Sequence, residues 1–369
     1  MTESDDPKVR PLDSGGALRD VTLRPAGNNE GATSEGTMPR KRTEKAPSEL
    51  DIEIIKQLQG DARKPFTAIA EELGLPESTV RKRVDRLEAA GVLRFTGFAD
   101  PLRLGFQYWT LISVKVELSA LERTAEAAAR HPEVFFVAIT TGESNLFLAA
   151  VFRSNSDVLN FLNVRLPELP GITETATSNV LRIYKRTGHL FSTPGKRTNG
   201  LETGDVDPGE DVEVSKLDRR IMATLLADGR KSFAQVAAQV EVSESAVHNR
   251  IQRLRQLGIL QFEAYADPHR LGFPNWVLFQ IRVEPRRAPA IAARLARYSE
   301  FFFVGVTTGL HDIFAAGVFR SNEDELRFLV DRLAGLGEIR AVSTTNVLKL
   351  VKRQLAYPLN GEGEDHRPA

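Results

Sequence analysis

The chain has 369 residues, of which 41% are hydrophobic and 27% charged, and this apolar content suffices for about two or three packed domains. Lysine plus arginine equals aspartate plus glutamate at 49 each, so the net charge does not indicate a polyanionic partner. The absence of cysteine excludes disulfides, thiol nucleophiles and thiolate metal sites. No apolar run approaches the roughly 18 residues of a membrane span, so we expect a cytoplasmic protein with no membrane partner.

The chain contains an internal duplication. Residues 48–186 align with 215–353 at a constant shift of 167 and without a gap. Within 48–106, 26 of 59 residues are identical to their counterparts, and this period is far too long for a solenoid repeat. The sequence therefore predicts two copies of one globular unit, and each functional feature should occur twice.

The segments outside the repeats are polar. Residues 1–47 are rich in Gly, Pro, Ser, Thr and charge, which predicts a disordered tail. The basic cluster at 39–42 within it is either a solvated segment or an arm that touches phosphate. Residues 187–214 form a predicted linker that reaches at most about 90 Å, enough for the copies to dock side by side, and 355–369 form a second tail.

The first part of each repeat has a helical period. From Leu50 to Leu93 apolar residues recur every three or four positions, which predicts three short helices. A helix at 67–73, a turn at 74–76 and a second helix at 77–89 fit a helix-turn-helix. We expect such domains at 48–97 and 215–264.

The second helix of this motif has the side chains of a DNA-binding helix. Val80, Val84 and Leu87 share one face and should point into the core. Short polar groups suit base edges, and arginines suit phosphates. The predicted DNA-binding residues are Ser78, Thr79, Arg81, Lys82, Arg83 and Arg86 in the first copy, and Ser245, His248, Asn249, Arg250 and Arg253 in the second.

Two other interpretations of this basic face stay open. The face could be ordinary solvated surface, and Arg83 and Arg250 could pair with an acidic residue of a neighbouring helix. DNA binding is favoured because the pattern occurs twice with its arginines kept. The residues between those arginines differ, which predicts shared phosphate contacts and distinct base contacts.

After Phe106 the pattern becomes extended. Runs of β-branched and aromatic residues at 109–118, 134–141, 146–152 and 173–185 predict strands, and 120–130 and 157–166 predict helices between them. The order βαββαβ defines a ferredoxin-like α+β domain. We expect one at 98–186 and one at 265–354, for sensing and dimerisation.

Several motifs resemble those of a known family. Glu49-Leu50-Asp51, the Gly-Asp-Ala-Arg of 60–63 and the run 78–93 resemble the N-terminal domain of the Lrp/AsnC transcription regulators. The resemblance extends over nearly all of both repeats. It implies a βαββαβ domain that dimerises through its sheet and often binds an amino acid or another small effector. Two copies in one chain imply an intramolecular pseudo-dimer, with duplex DNA as partner and further homo-oligomerisation.

The family's effector loop is a Gly, two variable residues and an Asp between the second and third strands. The first copy has Gly142 and Asn145, and the second has Gly309 and Asp312. A carboxylate binds an effector ammonium by a charge-assisted hydrogen bond, which Asn cannot do, so the second copy is the better candidate. The alternative is a plain hairpin turn. The predicted effector-binding residues are Thr141, Gly142, Asn145, Thr308, Gly309 and Asp312.

No pattern in the sequence indicates catalysis. The six histidines lack metal-ligand spacing and no glycine-rich phosphate loop is present, so we expect no cofactor, no metal and no catalytic residue. The enzymatic alternative is a siroheme decarboxylase, which resembles the same domain pair and uses histidine and arginine near a tetrapyrrole. Against it, His131 and His311 have no histidine counterparts in the other copy, where Tyr298 and Ser144 stand.

Overall fold

A computed structural model describes residues 46–187 and 214–353, which belong to the same contact unit, residues 44–369. The predicted tails at 1–47 and 355–369 and the linker at 187–214 lie almost wholly outside these ranges.

Each repeat begins with three short helices. They are α1 (Glu49–Gly60), α2 (Phe66–Leu73) and α3 (Glu77–Ala89) in the first half, and α6 (Lys216–Ala227), α7 (Phe233–Val240) and α8 (Glu244–Gln256) in the second. Ser48 and Ser215 each start a helix by a capping box with an aspartate three residues later. The predicted second helix of the motif, 77–89, has the bounds that the sequence indicates.

A strand follows each three-helix unit and was not predicted. β1 (Leu93–Ala99) pairs antiparallel with β6 (Leu260–Ala266) of the other half, with Leu93 opposite Ala266. The expected domain boundaries after residues 97 and 264 fall inside these strands. The two-stranded ribbon of β1 and β6 thus joins the two halves, and each of its strands follows a helical unit.

The remaining elements follow the predicted βαββαβ order with small shifts of bounds. In the first half they are β2 (Tyr108–Val116), α4 (Leu121–Arg130), β3 (Val134–Thr140), β4 (Leu146–Phe152), α5 (Asn155–Asn160) and β5 (Ile172–Arg186). In the second half they are β7 (Asn275–Val283), α9 (Ala288–Leu295), β8 (Phe301–Thr307), β9 (Ile313–Phe319), α10 (Asn322–Arg327) and β10 (Ile339–Arg353). A π-helical segment extends α5 through Phe161–Arg165 and α10 through Phe328–Leu333.

These strands form one closed barrel in the order β10-β3-β4-β2-β5-β8-β9-β7. The first part of β5 pairs with β2 of its own half, and from Val180 onward β5 pairs with β8 of the other half. β10 behaves in the same way toward β7 and β3. The two repeats therefore share a single barrel.

Hydrophobic residues pack on both faces of the barrel wall, although much of β5 and β10 is exposed. Alternate residues of a strand point to opposite faces, so Trp109 and Leu111 of β2 pack inside the barrel while Ile112 and Val114 pack outward with α4. The interior cluster is continuous with the cores of the helical units. Among the helices of the described ranges, none is long and apolar enough to cross a membrane.

Candidate DNA-binding helices and effector loops

A buried carboxylate ties α1 to α3. The side chain of Asp51 is 1% exposed, and its oxygens lie 2.9 Å from Arg83 Nη1 and 2.6 Å from Arg86 Nη2. Burial by itself raises the pKa of Asp51, but hydrogen bonds from Ser48 and Arg83 and the charge of Arg86 outweigh it and lower the pKa. The ionised carboxylate fixes the position of α3 in its unit.

The second half repeats this arrangement. Asp218 is fully buried and lies 2.9 Å from Arg250 Nη1 and 3.7 Å from Arg253 Nη1, and its pKa is lowered by the same balance. Pairing with an acidic residue of a neighbouring helix is therefore what Arg83 and Arg250 do.

Arg86 and Arg253 differ from those two arginines in exposure. Their side chains are 58% and 51% exposed, so they stay accessible to a phosphate while touching the buried aspartate. The sequence contains a signal for this carboxylate in both copies. An aspartate lies three residues after the serine that caps the helix, and it precedes its arginine partner, Arg83 or Arg250, by 32 positions. Asp51 and Asp218 are therefore site residues that the sequence prediction did not include.

The outward face of α3 carries most of the predicted residues. Ser78, Arg81 and Lys82 are exposed and Thr79 is half-buried. Arg81 is partly engaged within its own unit, since its Nη2 lies 2.7 Å from Glu77 Oε1 and its guanidinium 5.2 Å from the Phe66 ring. Within the described residues no hydrogen bond or ion pair holds the Lys82 side chain, which leaves its ammonium available.

The face of α8 is similar in shape and different in chemistry. Ser245, His248 and Asn249 are exposed. The His248 ring packs edge-on against Phe233 at 5.8 Å, and Ser245 Oγ lies 3.1 Å from Ser243 Oγ. At two equivalent positions α8 presents the imidazole of His248 and the amide of Asn249. At these positions α3 presents a guanidinium and an ammonium.

The turn before each of these helices needs a left-handed residue. In the first half this residue is Gly74, with φ of 65°, and in the second half it is Glu241, with φ of 61°. Glycine adopts this conformation at no steric cost, whereas a residue with a side chain is strained there. The second unit therefore keeps the same turn with an unfavourable residue.

The two helical units dock on each other through a reciprocal pair of arginines. Arg63 donates to the carbonyl of Lys231 at 3.0 Å, and its equivalent Arg230 donates to the carbonyls of Ala62 and Lys64 at 2.8 Å. Burial lowers the pKa of Arg230 to about 10, so it stays charged at neutral pH. These contacts cross between halves and hold α3 and α8 in one arrangement.

The predicted effector loops are tied to the ends of neighbouring strands. Asn145 accepts from the Val116 N–H at 2.9 Å and donates to the Val116 carbonyl at 2.7 Å. Asp312 accepts only from the corresponding N–H, that of Val283, at 2.9 Å. These are the contacts of an anchored turn, and no hydrogen bond from the described residues reaches the second Asp312 oxygen.

The loops also lie at the seam between the halves. The N–H of Thr141 donates to the carbonyl of Asn346 at 2.9 Å, and the N–H of Thr308 donates to that of Asn179 at 2.9 Å. A Cβ at Gly309, where φ is 99°, would lie 2.8 Å from Ser178 Oγ of β5. All six predicted loop residues are thus brought to two equivalent places on the seam.

The barrel contains a partly open cavity of about 100 Å³ that the sequence did not predict. Its walls come from both halves, and neither His131 nor His311 is among them. His131 instead packs its ring edge-on against Phe161, outside the barrel lumen. Among the described residues no cluster of three potential metal ligands occurs.

Comparison with known proteins identifies both parts of each repeat. The AsnC-type helix-turn-helix domain matches residues 48–88 and 215–255, and the Lrp/AsnC ligand binding domain matches 110–190 and 277–357. The HTH-type transcriptional regulator FL11 of Pyrococcus horikoshii is 34% identical over 143 residues, which are 38% of this chain and 94% of that protein. The regulator Ptr1 of Methanocaldococcus jannaschii is 32% identical over 139 residues, 37% of this chain and 93% of the relative.

The fold of the paired repeats is similar to that of a solved structure. The siroheme decarboxylase NirDL superposes with a TM-score of 0.58 and 16% identity over 83% of this chain and 93% of its own. Identity this low shows the fold alone. From the two domain matches and the regulators that it resembles, the chain belongs to the Lrp/AsnC family of transcriptional regulators.

Proposed function

We propose that this regulator binds duplex DNA through both α3 and α8 of one chain, in the cytoplasm where its target DNA lies. The observation that carries the proposal is the pair of exposed polar faces that lack strong internal partners, centred on Lys82 and Asn249. Short polar and basic groups at the start of a helix suit base edges, and Arg86 and Arg253 at its end suit phosphates.

Salt dependence of DNA binding tests this interface. Each phosphate contact releases counterions, so affinity should fall by roughly 0.9 log unit per contact for each log unit of salt. Fluorescence anisotropy with genomic fragments should show this slope, and Arg86→Ala or Arg253→Ala should reduce it by about one contact. Lys115→Ala, which removes an exposed barrel charge paired with Glu174, is the matched control. Salt-insensitive binding, or none, would exclude the proposal.

We also propose that the two repeats act as an intramolecular pseudo-dimer that associates further. The shared barrel supports the first point, because β5 and β10 each pair with both halves. Leu181 and Leu348, equivalent residues of these strands, are 65% and 67% exposed, and this supports further association. Light scattering should give a multiple of the 40.9 kDa chain mass. A monomer at all concentrations would contradict the second point.

An effector with an amino group is the proposed signal, bound at the loop of Gly309 and Asp312. The free oxygen of Asp312 supports this, since a carboxylate oxygen can accept from an ammonium. Asn145 uses both polar atoms of its amide on Val116 and offers no charge. Control of DNA binding by such a ligand requires a coupling of about 1–3 kcal/mol between the sites.

Calorimetric titration of amino acids into the wild-type protein and into variants of the two loops tests this proposal. Asp312→Asn should abolish binding of any ligand found, whereas Asn145→Ala should leave it. The reverse outcome would show that the assignment is wrong. If no amino acid binds, the loops are structural turns.

We propose that the protein works by binding and performs no chemistry. The siroheme decarboxylase alternative is supported only by the shared fold. A tetrapyrrole is several times larger than the 100 Å³ cavity. His131 and His311, the histidines considered for the decarboxylase activity, do not line this cavity. Mass spectrometry of siroheme incubated with the protein tests this point, and loss of carbon dioxide from the tetrapyrrole would overturn it.

A further inference from the structure

The barrel cavity has a wall of aromatic rings. Nine of its 17 lining residues are Phe or Trp, so aromatic rings make up about half of its wall. Trp109 meets Phe135 edge-on at 4.9 Å, the equivalent Trp276 meets Phe302 at 5.0 Å, and Phe147 stacks on its own equivalent Phe314 at 5.3 Å. The cavity therefore lies where the two repeats meet, and its surface suits a flat apolar group.

Three charged side chains interrupt this wall. Arg186 and its equivalent Arg353 lie with their guanidinium carbons 4.2 Å from the Phe98 ring centre and 4.0 Å from that of Tyr265. The third is Glu263 of β6, which stands opposite Thr96 in the ribbon. Because the position equivalent to Glu263 is Thr96, the cavity has two cations and one carboxyl.

Several polar atoms at the cavity are buried without a hydrogen bond. They are Nη1 and Nη2 of Arg186, Oε2 of Glu263 and Nε1 of Trp276. Arg186 Nη2 lies 3.5 Å from Asp100 Oδ2, which is an ion pair without hydrogen-bond geometry. Buried polar groups without partners are costly and uncommon. Three of the four atoms are donors, so the missing partner is chiefly an acceptor.

The charge balance agrees with an acceptor that carries negative charge. Burial raises the pKa of Glu263 and outweighs the opposing effect of Arg353 and Arg186. Asp100 already pairs with Arg186, and Glu263, whose pKa is raised, does not fully neutralise the other guanidinium group, that of Arg353. An anionic group on a ligand would do so by charge-assisted hydrogen bonds.

We propose that the barrel interior binds a small aromatic carboxylate, with its ring on the aromatic wall and its carboxylate on Arg186 and Arg353. An apolar cavity that holds benzene has a volume of about 150 Å³, and this partly open cavity has about 100 Å³. It therefore takes no more than one small ring, and the ring requires side chains of the wall to move outward. This site is separate from the loops of Gly142 and Gly309, none of whose residues line it.

The chain contains its own probe of this site. Trp109 and Trp276 are its only tryptophans, and both line the cavity. Titration of the full chain with benzoate, followed by tryptophan fluorescence, should give a saturable change. Benzamide has nearly the same shape without the charge and should bind at least about tenfold more weakly. Benzylamine, which has the opposite charge, should not bind.

Four variants separate recognition from folding. Arg353→Met and Arg186→Met should weaken benzoate at least about tenfold while leaving benzamide nearly unchanged. Arg182→Met, which removes an exposed guanidinium of β5 that does not line the cavity, should leave both affinities intact. Ala316→Leu adds volume to the wall and should block both ligands, with circular dichroism checking that each variant is folded.

The results that would overturn the proposal are distinct. Equal binding of benzoate and benzamide would remove the role of the arginines. Binding of benzylamine alone would mean that an ionised Glu263 selects a cation. No fluorescence change with any probe would mean that the cavity holds only water.

Discussion

Asp51 and Asp218 each satisfy a helix N-terminus and two arginines with a single carboxylate. Such a group binds its partners strongly because it is buried, and its lowered pKa means that folding favours its ionised form. The stability that it contributes is present above the unfolded pKa, near 3.8, and is lost as the pH falls through the folded pKa.

Asp51→Asn tests this role. The variant should lose about 2 kcal/mol at neutral pH, because Arg83 and Arg86 lose a charged acceptor while keeping access to water. Urea unfolding should show that the difference from wild type shrinks as the pH falls through the folded pKa, where the wild-type carboxyl is itself protonated. Asp85→Asn, an exposed change on α3, is the control and should have little effect. A difference that is independent of pH would contradict the account.

The turn at Glu241 allows an opposite experiment. Glu241→Gly should stabilise the second helical unit by about 0.5–1 kcal/mol, because glycine accepts the left-handed conformation without strain. Gly74→Ala, the matched change in the first unit, should destabilise by a similar amount. Thermal unfolding measures both, and a lower midpoint for Glu241→Gly would mean that its side chain makes a stabilising contact.

Lys82 and Arg86 separate base contacts from phosphate contacts. Lys82→Ala should relax preference at one or two base pairs by about 1–3 kcal/mol, because a free ammonium on the outward face can reach base edges. Arg86→Ala should weaken binding about equally on all sequences. Competition assays with single-base variants of a bound site measure both effects. Uniform weakening by Lys82→Ala with altered preference by Arg86→Ala would mean that a different arc of α3 faces the groove.

At the scale of elements, the sequence predicted the elements whose formation depends on neighbouring residues along the chain. The period of Val80, Val84 and Leu87 predicted α3 to the residue, since a helix is set by neighbours along the chain. β1 was missed because its pairing partner is β6, 167 positions away, and Gly97 interrupts its apolar pattern. The sequence could not show whether Arg83 binds a phosphate or pairs with a carboxylate, because an arginine suits both roles.

The close approach of α6 to β1 explains why a glycine, which is a weak strand former, stands at position 97. A Cβ there would lie 2.9 Å from the carbonyl oxygen of Leu225, in α6 of the other half. Gly97→Ala should therefore destabilise the protein by about 1–3 kcal/mol through forced separation of α6 and β1. Gly60→Ala, at a site with no heavy atom within 4 Å, is the control for thermal unfolding. An unchanged midpoint for Gly97→Ala would show that the contact relaxes at no cost.

At the scale of the whole molecule, duplication explains the architecture. The sequence predicted two copies that dock, yet it did not predict one barrel, because closure depends on β5 and β10 changing partners halfway along their 15 residues. The aromatic cavity was also unpredicted, since its walls come from positions that are distant in the chain. Two divergent copies in a fixed arrangement should behave differently from two identical subunits.

The central claim is that one chain binds two different DNA half-sites with α3 and α8. Selection of bound sequences from a random duplex pool tests it most directly, with wild type and Lys82→Ala compared side by side. The account predicts two unlike half-sites about one or two helical turns apart, of which only one loses its preference in the variant. A perfect palindrome as the preferred site, or equal changes in both half-sites, would contradict it.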